Sequence, residues 1–251
     1  MNSLNYDFSK SGKRWVSYFD RLGFENYSRE HDLISVFCET ENWLAIAKRE
    51  GQRAGNVEFV WFSDTIIFYS TDDSRQSFLA VAGASRSFFD ELLDSKIPVR
   101  GALAFGDFYA DKTNNLFLGK ALVDACKYGE KFDWLGFVLH SSALEKMVEV
   151  GQPVSDLTYK RWDATYKNRK TNAVGKESVM AYLLGDGSMP LEDGNSFVEV
   201  LEEMAVREKC ESIKRKYVNT IEFLKHFNAP DSSVTEVACP PSTRPSQEDA
   251  K

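Results

Sequence analysis

Two runs of strand character, Val57-Glu58-Phe59-Val60-Trp61-Phe62 and Thr65-Ile66-Ile67-Phe68-Tyr69, stand only two residues apart. A two-residue connection joins antiparallel neighbours and is far too short for a parallel crossover, so Ser63-Asp64 implies a hairpin. What surrounds the hairpin narrows the fold further. Upstream, Trp15-Val16-Ser17-Tyr18-Phe19 reads as a strand ending at Asp20. Between the two, apolar residues recur at helical spacing over about residues 32–49 (Leu33, Val36, Phe37, Trp43, Leu44, Ala47), with an irregularity expected near Asn42. Downstream, Phe78, Val81, Ala82, Phe88, Phe89 and Leu92 mark an amphipathic helix over residues 75–94. Residues 99–105 form another strand closing on Gly106, Gly119 opens a helix over 120–131, and Gly136-Phe137-Val138-Leu139 is strand-like.

The order strand, helix, hairpin, helix, strand, helix, strand predicts an α+β fold. It resembles the split βαβ of ferredoxin-like domains, a mainly antiparallel sheet flanked by helices. Past residue 150 the pattern loosens. Residues 160–176 are rich in Lys, Arg and Asn and read as a surface excursion, and residues 197–227 as a long helical stretch. Three segments are expected: a core over 1–150, a mixed or helical extension over 151–229 packed on the core or a dimer, and a disordered tail over 230–251.

Composition excludes several classes. With 43% hydrophobic and 13% aromatic residues the chain can bury a core. With 31 basic against 38 acidic residues it carries a net charge of −7, which disfavours nucleic acid as a partner. No apolar run is long enough to span a membrane, and the opening residues lack a signal peptide's apolar core, so a cytoplasmic protein is expected. Cys38, Cys126, Cys210 and Cys239 are widely spaced, and His31, His140 and His226 show no ligand spacing, so neither a zinc site nor a disulfide framework is indicated.

The chemistry-bearing pair is Asp20 and Asp64. Each stands where a strand stops, and a split βαβ arrangement brings the first strand beside the hairpin, so both carboxylates emerge at one end of the sheet. Taken singly, an Asp after a strand closes a turn or caps a helix. Together, two such carboxylates can bridge two divalent ions that bind a triphosphate. Arg100 has two readings: a partner for a carboxylate at the core's edge, or a donor aimed at phosphate or base.

Four collinear segments within about residues 13–140 carry a resemblance to class III nucleotide cyclases. Phe19-Asp20-Arg21-Leu22-Gly23-Phe24 looks like their strand-end motif, and Phe62-Ser63-Asp64-Thr65 like their second metal segment. Arg100-Gly101-Ala102 with Gly106, and Phe117-Leu118-Gly119-Lys120-Ala121-Leu122, resemble the next strand and helix. The departures are informative. Val60 and Leu116 occupy the positions where purine cyclases place a Lys and an Asp to read adenine, and Val123 and Lys127 fall on the positions of a transition-state Asn and Arg. The pattern is closer to the pyrimidine cyclases of bacterial Pycsar antiphage defence.

That resemblance implies cyclisation of UTP to 3′,5′-cyclic UMP and pyrophosphate, or of CTP to cyclic CMP. It implies two ions, Mn²⁺ or Mg²⁺, on Asp20, Asp64 and the backbone carbonyl of Arg21. Catalytic roles fall on Asp20, Asp64 and Lys127, and substrate contacts on Phe19, Arg100 and Lys120. A homodimer with active sites at its interface is implied, as is a separate effector that binds the cyclic nucleotide. Two other readings stay open: a degenerate cyclase-like module that binds nucleotide without turnover, and another two-metal phosphoryl-transfer enzyme such as a polymerase palm.

Overall fold

The structure, a computed structural model, describes residues 7–153, 158–167, 171, 173–184 and 196–228. The tail expected over 230–251 therefore lies outside the described residues. In chain order the elements are β1 (Ser11–Arg21), α1 (Phe24–Glu30), α2 (Leu33–Ala54), β2 (Val57–Phe62), β3 (Thr65–Ser70), α3 (Arg75–Asp94), β4 (Val99–Asp111) and β5 (Leu116–Leu118). Then come α4 (Lys120–Gly129), β6 (Phe137–Leu139), α5 (Ser141–Glu149), β7 (Tyr159–Lys167), β8 (Val174–Tyr182), α6 (Phe197–Arg207) and α7 (Glu211–Asn228). One sheet runs β2-β3-β1-β4-β6-β8-β7, with β5 paired to the end of β4. Only the β4–β6 pair is parallel.

Strand alternation sorts β1 between two faces. Trp15, Ser17 and Phe19 point at α3: the Phe19 ring centroid lies 5.2 Å from that of Phe88 and 5.0 Å from that of Phe137. On the same face Ser85 Oγ donates to Ser17 Oγ at 2.7 Å. Val16 and Tyr18 point the other way, into small apolar clusters completed by Ala121 and Ala125 of α4. That helix buries Ala121, Ala125 and Gly129, spaced four apart, and so lies close on β1 and β4. The approach requires glycine at its start. Gly119 has φ +147°, and a Cβ there would sit 2.7 Å from Phe108 Cα.

Several expectations are corrected. The described part of residues 160–176 is not a surface excursion: β7 and β8 pair as antiparallel neighbours, and β8 pairs with β6. Trp162, Ala164 and Tyr166 are buried or half-buried at every second position, and the exposed Lys160, Arg161, Asp163 and Lys167 mask that period. The long helix over 197–227 is two helices, α6 and α7, parted at residues 208–210. Helix α2 runs unbroken past Asn42, which is exposed. Helix α7 docks on the loop after α4: Thr220 Oγ1 accepts from the Leu135 N–H at 2.8 Å, and Asp133 takes Arg215 and Lys216 together. No described helix is long and apolar enough to cross a membrane.

Candidate active site

Asp20 lies opposite Thr65 of β3 and opposite Arg100 of β4. Asp64, one residue before Thr65, occupies the hairpin turn, where Ser63 takes a left-handed φ of 57°. The Arg21 N–H donates to the Asp64 carbonyl at 3.0 Å and pins the turn to the end of β1. The two carboxylates thus share one edge of the sheet, both half-buried, and the charge on Asp64 helps to push the Asp20 carboxyl upward.

In the structure Arg100 stands against the carboxylate. Its Nε and Nη2 donate to the same Asp20 oxygen, Oδ2, at 3.0 and 2.9 Å, and Nη1 donates to the Glu130 carbonyl at 3.0 Å. Burial is the main cause raising the Asp20 carboxyl above its ordinary range; Arg100 opposes it, while Asp64 and Glu130 add repulsion. A carboxyl raised in this way binds more protons folded than unfolded, so its ionisation destabilises the fold. The metal-free protein is expected to lose stability as pH rises from the unfolded value of 3.8 through the higher folded one. Urea unfolding against pH checks this, and Asp20→Asn should flatten that part of the profile.

A third carboxylate escaped the sequence reading. Glu130, which caps the C-terminus of α4, accepts from Tyr18 Oη at 3.1 Å and from Cys126 Sγ at 3.4 Å. Burial and these acidic neighbours hold the Tyr18 phenol well above its usual range. The available signal was faint: Cys126 and Glu130 are four apart on a helix, and Tyr18 shares a strand face with Asp20.

The other expected residues divide. Phe19 is 1% exposed, in the core on the face opposite Asp20, so its ring cannot reach a ligand beside the carboxylates; only its backbone is near them. Lys120 and Lys127 are exposed on α4 and flank Val123, itself 47% exposed, along one stripe. Of the two positions at which purine cyclases read adenine, Val60 is half-buried against the cluster of Val16 and Tyr69, and Leu116 lies on β5, 36% exposed. Phe62, beside Asp64, is 76% exposed. The histidines serve packing: His140 caps α5 through Ser142, His31 stacks on Tyr27, and His226 lies against Trp162.

Asp20, Asp64 and the Arg21 carbonyl are hard oxygen donors of the kind Mg²⁺ and Mn²⁺ take. Among the described residues no three His, Cys, Asp or Glu side chains form a metal site by themselves. A divalent ion here would take its remaining oxygens from substrate or water. The donor set fits such an ion, and Arg100 already stands as a cation against Asp20.

No protein-family model and no curated protein matches the sequence. Solved structures do match the fold. The adenylyl cyclase CyaB from P. aeruginosa aligns with a TM-score of 0.51 at 11% identity, over 70% of this chain and 97% of that one. The catalytic core of a rhodopsin-guanylyl cyclase with converted specificity, in complex with ATPαS, aligns at 0.53 and 11% identity, over 68% and 97%. A dimeric guanylyl cyclase domain from the aquatic fungus Blastocladiella emersonii aligns at 0.53 and 13% identity, over 69% and 98%. The α+β fold is that of cyclase catalytic domains, as expected.

Proposed function

We propose that this chain is a metal-dependent nucleotide cyclase that converts UTP to 3′,5′-cyclic UMP and pyrophosphate. The observation that carries the reading is the convergence of Asp20 and Asp64 at one sheet edge, with one N–H···O bond joining their strand ends. The cyclase fold of the structural neighbours supports it.

The reaction is an intramolecular displacement: the 3′-hydroxyl loses its proton and attacks the α-phosphorus, and pyrophosphate leaves in line. When bound, two ions of Mn²⁺ or Mg²⁺ lower the hydroxyl's pKa and neutralise the triphosphate. The protein's part is positioning and charge. Asp20, Asp64 and the Arg21 carbonyl would hold the ions. Arg100, which pairs with Asp20 in the structure, would share that carboxylate with a bound ion and could turn its guanidinium toward substrate. Lys120, the first residue of α4, holds phosphate near the helix N-terminus. Lys127 supplies positive charge across a homodimer interface. Exposed Phe62, Leu118 and Val123 give that interface apolar surface.

Val60 and Leu116 present no hydrogen-bonding group to a purine edge, which supports a pyrimidine base. A guanidinium donates only, so Arg100 favours uracil O4 over the cytosine amino group. The cyclic nucleotide then acts as a second messenger of Pycsar-type antiphage defence, read by a separate effector. Incubation with equimolar UTP, CTP, ATP and GTP and Mn²⁺ tests each level. Cyclic UMP is the expected main product. Mainly cyclic CMP would overturn the uridine choice, a purine product the pyrimidine reading, and no product the cyclase itself.

A further inference from the structure

Arg21 places a charge in the interior, near the end of β1. Its side chain is 7% exposed. It alternates to the sheet face opposite Asp20, as Phe19 does. There Nη1 and Nη2 each donate to one oxygen of Glu39 in α2 at 3.0 Å. The guanidinium carbon stands 4.4 Å from the ring centroid of Tyr27, 4.6 Å from that of Trp43 and 5.5 Å from that of Phe24. An apolar residue would fill this box with no desolvation cost, so the pair's stability contribution alone does not explain it.

The backbone of the same residue explains it better. The Arg21 N–H holds the Asp64 carbonyl at 3.0 Å, and the next N–H, of Leu22, holds the Pro98 carbonyl at 2.9 Å. The two peptides that flank the Arg21 Cα thus tie the end of β1 to the Asp64 turn and to Pro98, just before β4, while the Arg21 side chain is clamped on the far side of the sheet.

We propose that the Arg21–Glu39 pair, boxed by Phe24, Tyr27 and Trp43, is the positioning device of the metal site. It fixes the peptide that presents the Arg21 carbonyl and sets the spacing of Asp20 and Asp64. Both residues act through the backbone and touch no substrate. The inference rests on the two-carboxylate reading above, which the test separates from it.

Mn²⁺ binding to the full, nucleotide-free chain is measured by the electron paramagnetic resonance of free Mn²⁺. Glu39→Gln and Arg21→Met are each expected to weaken binding roughly ten-fold, as loss of groups that orient metal ligands does. Arg21→Lys, which keeps the charge without the fork, should recover part of the loss. Glu50→Gln neutralises another buried carboxylate of α2, one paired with the exposed Arg49 and Arg53, and should leave Mn²⁺ affinity unchanged even where it lowers the melting temperature. Asp64→Ala defines the site-specific signal. Asp64-dependent binding that Glu39→Gln leaves at wild-type strength would overturn the positioning role alone, as would equal weakening by Glu50→Gln. Wild-type protein with no Asp64-dependent binding would overturn the carboxylate reading and the positioning role with it. Should Arg21→Met fail to fold, Glu39→Gln, which keeps the side chain's size and an acceptor, carries the test.

Discussion

Asp64→Ala is expected to reduce cyclic nucleotide formation to background while leaving the protein folded. The bond that ties the turn to β1 is made by the Asp64 carbonyl, so truncating the side chain leaves it in place. The lost carboxylate is also one that repels Asp20, and its removal relaxes Asp20 toward its ordinary pKa. Unfolding by urea should therefore show unchanged or slightly raised stability without metal. Asp20→Ala should abolish product equally but differ in stability. It leaves the Arg100 guanidinium, 12% exposed, with only the Glu130 carbonyl. Removing one partner of a largely buried ion pair costs up to about 3–5 kcal/mol. Asp20→Asn restores an acceptor for Arg100 and should recover much of that stability without recovering activity. Product formation is read by chromatography of the nucleotide mixture. Near-wild-type turnover by either alanine variant would remove the carboxylate pair from the mechanism.

The contrast between these two aspartates marks where the sequence stops being informative. Both were legible because each follows a run of aromatic and β-branched residues, a pattern that needs no knowledge of distant neighbours. The hairpin and the α3 helix were legible for the same local reason, α3 to its boundaries and the hairpin to within one residue. What Arg100 does depends on register: it lies directly across from Asp20 only once β1 and β4 pair, 80 residues apart in the chain. Glu130 meets Tyr18 across 112 residues and carries no local signature. Phe19 is a different case. Strand alternation alone sends it to the face opposite Asp20, and motif proximity concealed a period of two that the sequence already held. The β7–β8 pair was hidden by composition, because the exposed positions of β7 are all charged and only Tyr159 and Ala164 of that strand are fully buried.

Mixing inactive Asp64→Ala chains with inactive Lys127→Ala chains is expected to restore activity. Lys127 lies on the exposed stripe of α4 with Lys120 and Val123, directed away from the buried Ala121, Ala125 and Gly129. A helix stripe that faces away from its own sheet acts most readily on a second chain. In a two-fold symmetric dimer each carboxylate pair then meets the α4 stripe of the partner, and two equivalent sites result. A mixed dimer has one site with both lesions and one with neither. Random exchange makes half the dimers mixed, each with one working site of two, so activity should reach about a quarter of wild type. Asp64→Ala is a better complement than Asp20→Ala, because the latter also strands Arg100 and lowers the fraction of competent chains. The experiment needs Lys127→Ala to be inactive alone and subunit exchange to be demonstrated, for instance by mass difference. Full activity of Lys127→Ala would take Lys127 out of the chemistry. With both conditions met and no activity regained, Lys127 would act within its own chain and the shared site would fail.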